Sequence, residues 1–110
     1  MDIDVSFNGE SLPITVENPF RMDPAAVAGQ IEDFLRERGA PADGLELEGL
    51  LPRMVRGVAG CEAGCPADAH RVVREGFGDY KLAYVEGGIL TAARELDGSR
   101  RLEIRMFPDF

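Results

Sequence analysis

The chain has 110 residues, 45% of them hydrophobic, 7% aromatic and 29% charged, with thirteen glycines and seven prolines. That length and apolar fraction exclude wholesale disorder and suit one hydrophobic core, so residues 1–110 read as a single small domain. Twenty acidic against twelve basic side chains give a formal net charge of -8, a field that repels nucleic acid and anionic lipid at long range.

The imbalance is local. Residues 1–50 hold eleven acids and three bases, whereas residues 51–110 hold nine of each. Met1–Phe20 carries Asp2 and Asp4 where a secretory leader would be basic, and it lacks a continuous apolar stretch. No apolar run approaches the ~20 residues of a membrane span. The expected compartment is therefore the cytoplasm, with no membrane partner. Two cysteines cannot make a disulfide framework, and a chain of this size can build its core without one.

The first seventeen residues predict a β-hairpin. Ile3, Val5 and Phe7 alternate with Asp2, Asp4 and Ser6, and Leu12, Ile14 and Val16 repeat the period on the return. Asn8-Gly9 suits a type I′ turn, which needs positive φ at both positions. That register sets Val5 opposite Leu12 and Ile3 opposite Ile14. Pro13 donates no ladder hydrogen bond, so the second strand is expected at a sheet edge.

Asp23 and Pro24 then punctuate a helix as N-cap and N1, with Met22 placed to staple onto Val27. Val27, Ile31, Phe34, Leu35 and Arg38 follow a helical spacing, and Gly39 and Pro41 end it. Glu32 and Arg36 form an i,i+4 pair on the wet face.

From Gly44 to Gly60 the pattern suggests one or two short strands. Leu45 and Leu47 alternate with Glu46 and Glu48, Pro52 interrupts, and Arg53 to Val58 forms the second segment. Gly57, Gly60 and Gly64 loosen the chain around Cys61 in this reading. A short helix is expected from Pro66 to about Glu75, burying Ala69, Val72 and Val73. Gly76 and Gly78 bracket an inserted Phe77. A three-stranded meander closes the chain: Tyr80 to Val85, Ile89 to Leu96, and a last strand with Leu102, Ile104 and Met106 inward. Turns fall at Gly87-Gly88 and Asp97-Gly98-Ser99, and Pro108 stops the final strand. The expected fold is α+β: a mostly antiparallel sheet from hairpin and meander, with two helices on one face.

The reactive side chains concentrate between Gly60 and His70. A helix starting at Pro66 would aim unpaired amides at Cys65 and favour its thiolate, while the glycines bring Cys61 near. The pair then serves as a dithiol–disulfide couple, or, with His70, as ligands of zinc or another metal. Glu62 and Asp68 are alternative ligands. The three-residue spacer departs from the two-residue spacer of redox and zinc-ribbon pairs, and the bland alternative is that both thiols simply pack.

Arg53, Arg56, Arg71 and Arg74 flank this stretch and form a candidate patch for a small anion or an acidic protein segment. The glycines make no phosphate-binding loop, because the Gly-Lys-Ser/Thr ending is missing. A solitary histidine defines no hydrolytic triad. Glu86 reads as a turn carboxylate, and Tyr80 with Tyr84 do not make a base-stacking platform. The function expected first is a noncatalytic binding or protein-interaction module, engaging a protein partner or a second copy. A small thiol-redox or metal-handling protein built on Cys61 and Cys65 is the alternative.

Overall fold

The computed structural model describes residues 1–62 and 66–108, and describes side chains for 1–59 and 71–108. Strands β1 (Asp2–Phe7) and β2 (Glu10–Thr15) form the N-terminal hairpin, followed by a 3-10 turn at Pro19–Arg21. Helices α1 (Pro24–Glu37), α2 (Leu47–Glu62) and α3 (Pro66–Glu75) come next, and strands β3 (Lys81–Val85), β4 (Ile89–Leu96) and β5 (Arg100–Met106) end the fold. The sheet is five-stranded and antiparallel throughout, in the order β2-β1-β5-β4-β3, with α1 and α2 the two main helices packed against it.

The hairpin follows its sequence pattern residue by residue. Val5 pairs with Leu12 and Ile3 with Ile14. Asn8 and Gly9 take φ of +52° and +83°, as a type I′ turn requires. β2 lies at the sheet edge, where the missing N–H of Pro13 interrupts no inner ladder. The central position belongs to β5, which pairs Leu102 with Phe7 and Met106 with Ile3. The last strand thereby joins the hairpin to the meander.

α1 has the expected ends. Asp23 accepts from the amides of Ala25 and Ala26, and Pro24 opens the helix. Gly39 at φ +70° ends it, with Gly39 N–H donating to Arg36 and Ala40 N–H to Leu35, both at 3.0 Å. This is the paired-bond Schellman stop. Arg38 lays its guanidinium 3.8 Å from the Phe34 ring centroid and donates to Glu10 at 2.8 Å. Arg36 pairs with Asp33 at 3.4 Å and reaches Asp43 at 3.7 Å, whereas the sequence offered Glu32 as its partner.

The strands expected between Gly44 and Gly60 are absent, and α2 replaces them. Leu47, Leu50, Leu51, Met54, Val55 and Val58 fall at helical spacing, and all six are buried. Pro52 sits inside the helix. An interior proline costs about 3 kcal/mol, but burying each large side chain recovers roughly 1.5–3 kcal/mol, so Leu50, Leu51, Met54 and Val58 outweigh it. The alternation at Leu45 and Leu47 reflects a sharp helix entry. Gly44 and Glu46 both take positive φ, at +70° and +54°, and Leu50 N–H donates to Glu46 C=O at 3.0 Å.

Two glycines let α2 approach its neighbours. At Gly49 an added Cβ would stand 2.8 Å from Phe77 Cζ. At Gly57 the Tyr84 hydroxyl donates to the backbone carbonyl at 2.7 Å, fastening α2 to β3. Tyr80 is buried and donates to Leu45 C=O at 2.8 Å. Burial pushes the Tyr80 phenol up to about 12, against the smaller opposing pull of Arg94. Both tyrosine hydroxyls are thus committed to backbone carbonyls. Among the described residues, no helix is long and apolar enough to cross a membrane.

Candidate functional site

α2 and α3 form a cleft together with the 3-10 turn. Arg53, Arg56 and Ala59 reach it from α2, and Arg71, Val72 and Glu75 from α3. Phe20 of the 3-10 turn also lines it. The cleft has a volume of about 680 Å³. Arg53 and Arg56 are three apart on one helix and so share a face, which α3 meets with Arg71.

The charges in the cleft are unequal. Arg53 donates to Glu75 Oε2 at 2.9 Å, with its own side chain only 19% exposed. That hydrogen bond holds the Glu75 carboxyl below the usual carboxylate range, and the charges of Arg71 and Arg74 act the same way. Arg53 Nε is buried and has no acceptor among the described residues. Arg56 and Arg71 are exposed, and neither has an ion-pair partner among the described residues. One carboxylate therefore faces three guanidinium groups.

Phe20 is 70% exposed although it is one of only six phenylalanines. Its backbone is held in place: Phe20 N–H donates to Asn18 Oδ1 at 3.1 Å, and Pro19 beside it is buried. A large aromatic ring on a capped turn presents apolar area without first having to be ordered. A smaller hollow of about 210 Å³ is lined by Pro19, Met22, Pro24, Pro52 and Val55. Phe20 and Arg56 line both compartments.

Three of the four arginines singled out in the sequence thus meet in one cleft. Arg74 is exposed on α3 but does not line it. The sequence reading missed Phe20 and the apolar compartment. The signal available was Asn18-Pro19, a turn-initiating pair that sets the following ring apart from the period of α1.

The cysteine stretch is placed only by its helices. α3 starts at Pro66, as expected. Cys61 belongs to the last turn of α2, where a glycine-loosened loop had been expected. Cys65 lies outside the described residues, as do the side chains of Cys61, Glu62, Asp68, Ala69 and His70. Glu86 is exposed in the turn after β3. Comparisons with protein-family models, with curated proteins and with solved structures found no match.

Proposed function

We propose that this protein is a noncatalytic binding module whose α2–α3 cleft receives an anionic group. The observation that carries this reading is the convergence of Arg53, Arg56 and Arg71 beside an exposed Phe20, in a chain whose net charge is -8. Guanidinium groups bind carboxylates and phosphates through paired N–H donors and remain charged at any physiological pH. Arg53 already holds one carboxylate, that of Glu75, through a single N–H donor at 2.9 Å. The rest of the surface is acidic and repels anions, so local attraction for one is confined to the arginines of the cleft. A protein segment bearing carboxylates, from another protein or a second copy, is the partner in this reading.

Fluorescence anisotropy with a labelled glutamate-rich peptide tests it. Arg56→Ala combined with Arg71→Ala is expected to weaken binding about tenfold, equal to ~1.4 kcal/mol, and added salt should weaken it further. Unchanged affinity in the double variant, with circular dichroism showing a native fold, would refute the assignment.

A second reading, thiol or zinc chemistry at Cys61 and Cys65, is favoured by one feature. α3 begins at Pro66, so its first amides follow Cys65 directly in the chain. Titration of thiol reactivity against pH, together with zinc binding by the reduced protein, tests this. Two thiols of ordinary reactivity and no zinc uptake would end it.

A further inference from the structure

We infer that the cleft's partner is a segment of another protein in which an apolar side chain lies next to carboxylates, and that Phe20 selects for that apolar side chain. The inference rests on the arginine-cleft reading and adds the class of ligand. A site for a small free anion needs only the arginines. Here a second compartment borders the arginines' own, lined by proline, methionine, valine and Phe20, with Arg56 as its charged member among the described residues. The two share Phe20 and Arg56, so charge recognition and apolar burial occur on adjoining surfaces.

Size supports a segment over a small ion. The larger compartment alone is about 680 Å³, and the smaller one, which shares Phe20 and Arg56 with it, is about 210 Å³. A carboxylate on Arg56 or Arg71 leaves most of that space unfilled. A peptide covers both compartments when one side chain enters the Pro19–Met22–Val55 hollow and its neighbours reach the guanidinium groups. Phe20 stands between them with 70% of its area exposed. Large exposed aromatic rings at the centre of a docking surface commonly contribute most of the affinity. Arg56, lining both sides, can pair with a carboxylate while its aliphatic stem lies along the apolar side chain.

The experiment compares three short labelled peptides by anisotropy: alternating Glu and Leu, alternating Glu and Ser, and alternating Lys and Leu. The Glu/Leu peptide is expected to bind about tenfold tighter than Glu/Ser, as burial of one leucine implies. Phe20→Ala should remove that advantage and leave Glu/Ser binding unchanged, while Phe20→Leu should retain most of it. Phe20 is exposed, so these variants should fold, and circular dichroism checks that they do. If Glu/Leu and Glu/Ser bind equally, the inference is overturned while the arginine cleft stands. If neither binds, the cleft reading itself fails. Equal binding of Lys/Leu and Glu/Leu overturns it by removing charge selection. Sedimentation showing a dimer that the Glu/Leu peptide dissociates would make a second copy the occupant and overturn it as well.

Discussion

Replacing Gly57 with alanine tests how closely α2 is pressed onto the sheet. A Cβ there would stand 3.1 Å from each of Leu90 Cδ2, Tyr84 Oη and Val72 Cγ1, which belong to β4, β3 and α3. Taken alone, alanine in a helix interior is favoured over glycine by about 1 kcal/mol. Against this, forcing a methyl group into a packed site typically costs ~1–3 kcal/mol. The neighbours have little freedom to retreat. Leu90 is fully buried, and the Tyr84 hydroxyl is tied at 2.7 Å to the carbonyl of Gly57 itself. Loosening that hydrogen bond forfeits part of a further ~1 kcal/mol. The expected net result is destabilisation by about 1–2 kcal/mol. Gly29 supplies the control, because it lies within α1 and a Cβ there meets nothing within 4 Å. Gly29→Ala should stabilise the protein by about 0.5–1 kcal/mol. Urea unfolding followed by circular dichroism reads both variants, and their midpoints should move in opposite directions at unchanged slope. Midpoints that rise equally would show that α2 does not touch β3, β4 and α3 at Gly57.

Three other outcomes follow from the same contacts. Gly9→Ala meets open space but must hold φ +83°, so urea unfolding should show a loss of about 1–2 kcal/mol from conformational strain alone. In a Tyr84→Phe variant Tyr80 is the sole tyrosine, and its absorbance should titrate near 12 when native and near 10 when unfolded. Because folding raises this pKa, its stabilising contribution is whole below pH 10 and is lost as pH rises towards 12. A native midpoint near 10 would contradict burial of the phenol. Glu75→Gln removes the cleft's own carboxylate and should tighten the glutamate-rich peptide roughly two- to fivefold, measured by anisotropy. Folding lowers the Glu75 pKa, so its contribution is present above the ordinary carboxylate pKa and lost as pH falls through the depressed one. The stability of Glu75→Gln should therefore fall less on acidification.

The sequence alone determined the elements whose signals are local. Asn8-Gly9 fixed the hairpin turn and its register, Asp23-Pro24 and Gly39 set both ends of α1, and the alternation of Leu102, Ile104 and Met106 with Arg101, Glu103 and Arg105 marked β5. Each depends on backbone geometry that a few adjacent residues decide. In and just before α2, Pro52 and the alternation around Leu45 resemble strand punctuation, and only the burial of the helix's stripe against the sheet outweighs them. Tertiary structure alone placed β5 between β1 and β4, since pairing of Phe7 with Leu102 leaves no local trace. It also decided the cleft. Arg53 and Arg56 are separated from Arg71 by the second half of α2 and the first half of α3, and from Phe20 by the whole of α1. A sequence can name such residues as charged or aromatic, but their meeting at one surface depends on how the helices pack against the sheet and each other.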